Sequence, residues 1–307
     1  MMLLDQLLGE LDVEVDTFAV CEVRKGACLV LQEDEAAAIH YVLAGKGIAL
    51  PMGGPPIVLE PQTVVVAPPG SCLVVSAGWG ATMTMPAPDC RPLAGGWDWN
   101  TVGDGEPGVL LACGTVAALH RETIGLFDYL RTPLVENMTQ DASFEQPFHR
   151  LLDELAAPKA GTKTLTEILM KECLVSLLRR QCESGECRAP WLAALEHPQL
   201  SKALSAMMDR PSAPFTLEGL AEIAGMSRAA FAERFKQAFQ RTPMAFLRDV
   251  RLRLAARLLT TSDLPVKTVA GRVGFASRSH FSRAFKAYAG SDPAAYRAAK
   301  SRPESVD

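Results

Sequence analysis

The chain has 307 residues, of which 48% are hydrophobic and 21% are charged, and its formal net charge is -4. Domains run to about 100–200 residues each, so this length suggests two domains. The composition excludes a disordered chain and a collagen-like repeat. No stretch approaches the ~20 unbroken apolar residues that span a bilayer, and residues 1–10 lack the basic start and apolar core of a signal peptide. A cytoplasmic protein is therefore expected.

The small net charge hides a division along the chain. Residues 211–307 carry 16 Lys and Arg against 8 Asp and Glu, which is a net charge of +8, so residues 1–210 carry −12. An acidic part joined to a basic part is expected when only the basic part meets a polyanion. Chance segregation of solvated charge is the alternative.

Residues 11 to about 120 are expected to form strands. Short apolar, β-branched runs alternate with turn signals such as Gly45-Lys46-Gly47 and Pro68-Pro69-Gly70. Regular short strands with this punctuation favour a β-sandwich or a small barrel. Residues 86–108 are rich in Pro, Gly and Trp, and we expect an irregular loop or lid there. The expected strands are Cys28–Leu31, Ile39–Leu43, Ile48–Leu50, Ile57–Leu59, Thr63–Ala67, Leu73–Val75 and Val109–Val116.

From Pro133 onward the pattern becomes helical. Apolar residues at helical spacing predict helices over Phe144–Leu155 and Thr164–Cys182, joined by a turn at residues 158–161. The second helix is apolar on more than one face, which is expected of a helix between its own barrel and a partner subunit. A helix packed only within its own chain is an equal alternative.

The C-terminal third contains an internal repeat with a period of 49 to 50 residues. Each copy predicts a helix-turn-helix, because Ala allows close helix approach, Gly permits the tight turn, and the following Ser suits an N-cap. Two Phe residues four apart are expected on one buried face, which leaves Arg, Ser and Ala on the opposite face for a major groove. The matched residues are Ala221, Gly225, Ser227, Arg228, Phe231, Phe235 and Lys236, and Ala270, Gly274, Ser277, Arg278, Phe281, Phe285 and Lys286.

One long helix is expected between the two copies, over Pro243–Thr261, with its proline in the first turn. About 18 residues at 1.5 Å rise span roughly 27 Å, which could place two recognition helices in successive major grooves about 34 Å apart. Pairing with neighbouring acids such as Asp249 is the alternative to phosphate contacts for the arginines of this helix. These arginines are Arg248, Arg251, Arg253 and Arg257.

These residues carry a family resemblance. Residues from about 200 to 300 closely resemble the AraC/XylS-type DNA-binding domain of bacterial transcription regulators, with helix-turn-helix motifs at about 217–238 and 267–289. A looser resemblance, through His40–Gly45 and Trp191–Leu204, is to members of that family with an N-terminal cupin-type sensor barrel. The closer match runs through Leu217–Arg228, Arg234-Phe235-Lys236, Pro243-x3-Leu247, Arg251-Leu252, Leu258-Leu259, Val269–Lys286 and Gly290–Arg297.

The resemblance implies an α+β multidomain protein. Its parts are a cupin-like β-barrel over residues 1–130, a helical hairpin that links or dimerises over 131–200, and an all-α tandem helix-turn-helix domain over 201–303. The resemblance also implies base-reading positions, four in the first recognition helix and three in the second. These positions are Arg228, Ala229, Ala232, Glu233, Arg278, Ser279 and Arg283.

The implied positions differ in what they can read. Arg278 and Arg283 could each bind a guanine edge, a contact worth about 1–3 kcal/mol. Glu233 could accept a hydrogen bond from cytosine N4 but would repel phosphate, so the first helix is expected to read fewer bases or a different set.

The barrel carries few signals of chemistry. Metal-binding cupins resemble one another through a His-x-His pair and a later His, but here His40 stands alone and Cys72 follows Gly70-Ser71. No metal or other cofactor is expected, and we find no Ser-His-Asp arrangement, P-loop or dinucleotide-binding glycine motif that would support catalysis. His40 is expected to be a packed strand residue, with a ligand contact as the alternative.

The chain has 8 cysteines and no Cys-x-x-Cys pair, so reduced thiols are expected. Some cupin-type members of the resembled family respond to oxidants through cysteines, which makes Cys21, Cys72 and Cys90 candidate sensor thiols. Reactivity requires a lowered pKa and exposure, and Arg24 and Lys25 could lower the pKa of the Cys21 thiol. Buried structural cysteines are the alternative.

The sequence thus predicts a sequence-specific transcription regulator, usually an activator among similar proteins, whose barrel senses a small molecule or an oxidant. Its expected partners are double-stranded promoter DNA, RNA polymerase, an effector and a second copy of the chain, without a membrane. Two alternatives stay open. A cupin-type small-molecule enzyme with an incidental basic tail would show turnover, and an architectural nucleic-acid binder would show no effect of small molecules on binding.

Overall fold

The computed structural model describes residues 3–32, 36–78, 91–92, 99–120, 124–139, 141–183 and 189–300. The chain divides into two compact units. The barrel unit comprises Leu11–Ala118 and Gly125–Ala189, and the helical unit comprises Met1–Glu10, Leu119–Ile124 and Pro190–Asp307. Among the described residues, no helix is both long enough and apolar enough to span a membrane.

The strands form two sheets. One has the order β12-β6-β3-β10-β1-β9, with β11 also paired to β10, and the other has the order β5-β4-β7-β2-β8. Alternate side chains of a strand point to the same face, and the inward faces share one apolar core. The strands are β1 Leu11–Arg24, β2 Cys28–Gln32, β3 Ala37–Gly45, β4 Gly47–Pro51, β5 Ile57–Leu59, β6 Thr63–Ala67, β7 Cys72–Ser76, β8 Arg91–Pro92, β9 Trp99–Val102, β10 Pro107–His120, β11 Ile124–Gly125 and β12 Leu134–Asn137.

The helices confirm the mixed α and β class. They are α1 Leu3–Gly9, α2 Ala142–Ala156, α3 Thr162–Glu183, α4 Pro190–Glu196, α5 Leu200–Asp209, α6 Leu217–Ala224, α7 Arg228–Phe239, α8 Pro243–Thr261, α9 Val266–Arg272, α10 Arg278–Ala289 and α11 Pro293–Lys300.

All seven strands expected from the sequence are present, with β10 longer than expected. The expected start of the helical pattern at Pro133 is wrong, because β12 follows directly and pairs with β6 before α2 begins. The irregular loop expected over residues 86–108 is wrong for the described part, because β8 and β9 lie there. Each pairs in parallel with the edge of a sheet, β8 with β2 and β9 with β1. Strands this short form by hydrogen bonding to the exposed backbone of a neighbouring strand. They are too short to show an alternating apolar pattern, so the sequence did not predict them. Residues 79–90 and 93–98 lie outside the described residues.

The expected helical hairpin is formed by α2 and α3 within the barrel unit. The ring of Tyr41, on β3, lies 5.7 Å from that of Phe144 and 4.7 Å from that of Phe148 on α2. Helix α3 contacts β1 and β12. The larger sheet therefore packs on both faces, with the barrel core on one side and the hairpin on the other.

Both copies of the sequence repeat fold as helix-turn-helix motifs, α6–α7 and α9–α10. Their turns use glycines in the left-handed region, Gly225 at φ +63° and Gly274 at φ +84°. Ser227 accepts a hydrogen bond from the backbone N–H of Ala230 at 3.2 Å, and Ser277 caps α10 in the same way. The four repeat phenylalanines are fully buried, and α8 spans the residues expected of the long helix.

Helix α1 was not expected from the sequence. It buries Leu3, Leu4 and Leu7 and packs against α4 in the helical unit. Seven residues carry too few turns for a helical period to stand out from the surrounding apolar sequence.

Candidate nucleic-acid interface

The recognition helices α7 and α10 present corresponding faces to solvent. All of the base-reading positions expected from the sequence are exposed except Ala232, which is half-buried. The opposite face of each helix is held by its buried phenylalanine pair, whose ring centroids lie 5.7 Å apart in α7 and 5.6 Å apart in α10. The buried phenylalanines thus pack one face of each helix into its core, and the side chains of the opposite face are accessible to the major groove of DNA. Base reading by these positions stays a prediction.

Two arginines of α7 have partners within the protein. Arg228 lies 3.0 Å from Glu218 of α6, and the two side chains are 67% and 62% exposed. A surface ion pair of this kind contributes about 0–1 kcal/mol, so the pairing leaves Arg228 exposed on the outer face of α7 without contributing much to stability. Arg234 lies with its Nη1 3.0 Å from Nε2 of His197.

The junction between α4 and α5 holds the first helix-turn-helix in place. Nδ1 of His197 accepts from the backbone N–H of Gln199 at 3.2 Å and of Leu200 at 3.3 Å, at the start of α5. The Gln199 side chain donates to the backbone oxygen of Gly225, in the turn before α7, at 3.0 Å. The sequence did not predict that His197 and Gln199 hold the first helix-turn-helix. The one sequence signal for this role was that His197 lies in the Trp191–Leu204 segment that carries the family resemblance.

The arginines of α8 do not share one role. Arg251 donates from Nε to the backbone oxygen of Pro211 and from Nη2 to that of Ala213, both at 2.7 Å, and burial lowers its pKa. The expected phosphate contact is therefore wrong for Arg251, whose guanidinium is occupied by the loop before α6. Arg248 lies 4.0 Å from Asp249, so the alternative of acid pairing applies to it.

The candidate sensor residues lie within the barrel unit. His40 is buried on β3, opposite Cys113 of β10 and Val65 of β6, as expected of a packed strand residue. Cys72 is half-buried on β7, and Cys90 lies outside the described residues. No cluster of three or more His, Cys, Asp or Glu suited to a metal ion occurs in the described part of the chain.

The thiol of Cys21 has a lowered pKa, but the expected cause is wrong. A hydrogen bond with Cys113 is the largest cause, and one with Asn100 adds to it against the opposing effect of burial. The expected cations are engaged elsewhere, since Arg24 lies 3.3 Å from Glu22 and Lys25 lies 2.7 Å from Glu106. Cys21 is also fully buried, so it meets only one of the two conditions for reactivity.

The expectation of wholly reduced thiols is wrong, because Cys28 is disulfide-bonded. The parallel pairing of β2 with β8 places Leu29 opposite Arg91, so Cys28 lies at the level where β8 begins. This bond leaves no spacing signal in the chain, which has no Cys-x-x-Cys pair. The described cysteines with free thiols are Cys21, Cys72, Cys113, Cys173 and Cys182.

Two family models match the chain. One is described as a helix-turn-helix domain and matches residues 220–299, and the other is described as a cupin and matches residues 3–183, more than half of the chain. An uncharacterized HTH-type transcriptional regulator of Haemophilus influenzae is 31% identical over 228 residues, which are 72% of this chain and 74% of that protein.

Two further relatives match over a smaller share. The HTH-type transcriptional regulator AlkR of Acinetobacter baylyi is 39% identical over 137 residues, which are 45% of each chain. The RCS-specific HTH-type transcriptional activator RclR of Escherichia coli is 42% identical over 106 residues, which are 34% of this chain and 37% of that protein. The chain thus aligns with less than half the length of these two relatives.

Proposed function

The chain belongs to the AraC-type family of helix-turn-helix transcriptional regulators with an N-terminal cupin domain, and we propose that it binds promoter DNA through both helix-turn-helix motifs. The observation that carries this proposal is the structural repeat. Both copies have the same serine cap, the same buried phenylalanine pair and the same exposed recognition face. Helix α8 joins them and, with 19 residues, is about 28 Å long, which is close to the spacing of about 34 Å between successive major grooves.

Sequence reading is assigned chiefly to α10. Arg278 and Arg283 are exposed and lie five residues apart on this helix, where each can donate two hydrogen bonds to a guanine edge. Ser279 is small enough to let the helix approach the base pairs. On α7, Ala229 and Glu233 offer an apolar contact and a hydrogen-bond acceptor, which suit a thymine methyl group and cytosine N4.

Genome-wide footprinting with the purified full-length protein tests this function. We expect a small set of discrete protected sites, each spanning two successive major grooves on one face of the duplex. Uniform weak protection would support the architectural binder instead. Repeating the experiment with an oxidant tests the sensor, since an unchanged pattern would contradict control by oxidation.

The barrel unit is assigned the sensor role. The support is the match of residues 3–183 to a cupin model. A small molecule or an oxidant would act by shifting the population between DNA-competent and incompetent arrangements. We assign cytoplasmic location and activation through RNA polymerase on the same family basis. The matching relatives are regulators, which favours this function over a cupin-type enzyme.

A second copy of the chain is the proposed partner of α3. Leu165, Ile168 and Val175 lie at helical spacing on its outer face, and Ile168 is 57% exposed while the opposite face packs into the barrel unit. Ile168→Asp should shift the protein from dimer to monomer in sedimentation equilibrium, because it places a charge in this apolar stripe. Lys163→Asp, at an exposed position about 140° around the helix from Ile168, is the control. A dimer that persists in both variants would contradict this interface.

A further inference from the structure

The two helix-turn-helix motifs have the same fold but opposite charge at matching exposed positions. Helix α6 aligns with α9 at an offset of 49 residues, which superimposes Ala221 on Ala270, and α7 aligns with α10 at an offset of 50. Five aligned positions differ in charge between the copies. At one of them the first copy is the more positive, because exposed Arg234 aligns with half-buried Ala284. At the other four both residues are exposed, and the second copy is the more positive or the less negative. These four pairs are Glu218 and Lys267, Glu222 and Gly271, Ile223 and Arg272, and Glu233 and Arg283.

These differences give the two motifs unequal total charge. Residues 217–239 contain three Lys and Arg and three Glu, so the first motif is neutral. Residues 266–289 contain five Lys and Arg and no acidic residue, so the second motif carries +5. The acidic residue just beyond it, Asp292, is engaged at the start of α11, where it accepts from the backbone N–H groups of Ala294 and Ala295 at 3.0 and 3.1 Å.

The charges of the first motif also lie close together, since Glu218 pairs with Arg228 at 3.0 Å. In a helix-turn-helix the first helix crosses the phosphate backbone while the second enters the groove. In the first motif that crossing helix, α6, presents Glu218 and Glu222 to the phosphates. In the second motif the corresponding helix, α9, presents Lys267 and Arg272.

We propose that the second helix-turn-helix is the phosphate anchor of the protein as well as its main reader of bases, and that the first adds further base contacts but little electrostatic affinity. This inference rests on the proposed DNA-binding function and divides that function between the two motifs. Lys267 and Arg272 of α9 and Lys286 of α10 bind the phosphates. Arg278 and Arg283 remain available for base edges. The protein therefore docks on DNA through α9 and α10, and α7 adds sequence selection after the anchor is in place.

The salt dependence of binding to a mixed-sequence DNA duplex tests this division. Each phosphate neutralised contributes about 0.9 to the slope of log K against log salt concentration. Lys267→Gln/Lys286→Gln should lower the magnitude of the slope by about 1.8, which shrinks the loss of affinity between about 50 and 200 mM salt by about 12-fold. Arg228→Gln/Lys236→Gln removes the same charge from the first motif and should change the slope by less than about 0.5.

A gain of charge provides the complementary test. Glu218→Lys/Glu233→Arg gives the first motif the residues found at the same positions of the second, and should steepen the slope. Circular dichroism and the melting temperature of each variant establish that it is folded. Equal slope changes in the two glutamine variants, or no steepening in the charge-gain variant, would overturn the division while leaving DNA binding intact. A wild-type protein that binds no duplex would overturn the proposed function and this division together.

Discussion

Arg251 provides the sharpest test of how the helical unit is held together, because sequence and structure assign it different roles. The sequence places it among arginines that face phosphate. The structure directs its guanidinium inward, to the backbone oxygens of Pro211 and Ala213. Its Cζ also lies beside the turn of the second helix-turn-helix, 3.1 Å from where a Cβ on Gly274 would stand. Arg251 thus joins the loop before the first motif to the turn of the second.

The cost of losing Arg251 follows from these contacts. A hydrogen bond from a charged group contributes about 1.5–3 kcal/mol, and partial exposure lets water replace part of it. We therefore expect Arg251→Ala to lower the free energy of unfolding of the helical unit by about 2–3 kcal/mol, since two such bonds are lost. For a unit of this size, that loss corresponds to a fall in melting temperature of roughly 6–15 °C.

Thermal unfolding followed by circular dichroism measures this effect, with Arg248→Ala as the matched control. Arg248 is an exposed arginine on the same helix, 4.0 Å from Asp249, and its loss should cost less than about 0.5 kcal/mol. A structural role of Arg251 predicts a loss of stability in Arg251→Ala, whereas a phosphate contact predicts a smaller salt dependence of DNA binding. Equal melting temperatures for the two variants, together with a DNA salt slope reduced by about 0.9 in Arg251→Ala alone, would show a phosphate contact and refute the structural role.

Two further substitutions test the turn of the second motif and the start of α5. Gly274→Ala should cost more than about 1 kcal/mol, because its φ of +84° disfavours a side chain and an added Cβ would lie 2.8 Å from the Ser212 oxygen. Gly271→Ala, where nothing lies within 4 Å, should stabilise α9 by about 0.5–1 kcal/mol, and an equal loss in both variants would contradict this turn. His197→Asp should raise the melting temperature by roughly 3–5 °C, since a carboxylate can accept from the backbone N–H groups of Gln199 and Leu200 and is favoured by the dipole at the start of α5, a gain of about 1 kcal/mol. An unchanged or lower melting temperature would show that His197 already satisfies them.

The parts of the fold that the sequence predicted are those whose determinants lie close together in the chain. Within each motif, the serine cap, the turn glycine and the phenylalanine pair lie within about 20 residues of one another. The repeat therefore predicted both motifs and the helix between them. The strands of the barrel were similarly marked by local apolar runs and turns. Helix α1 and the short strands β8, β9, β11 and β12 were missed because two to seven residues are too few for a periodic apolar pattern.

The parts of the candidate site that the sequence did not predict depend on contacts across the fold. Arg251 acts on backbone oxygens 38 and 40 residues away, which no residue pattern encodes. The thiol of Cys21 meets Cys113 on a neighbouring strand, whereas the adjacent cations have acidic partners. Cys28 is disulfide-bonded at the edge where β8 joins β2. Exposure of the reading positions was predictable because the repeat itself defines the buried face.

The central claim is that α10 reads DNA sequence, and the most direct measurement is the affinity of Arg283→Ala for a footprinted site and for a mixed-sequence duplex at one salt concentration. Loss of a bidentate contact to guanine should weaken binding to the site by about 1–3 kcal/mol, which is roughly 5- to 150-fold. Binding to the mixed sequence should fall much less, by the electrostatic contribution of one charge. An equal loss of affinity for both duplexes would contradict sequence reading by this helix.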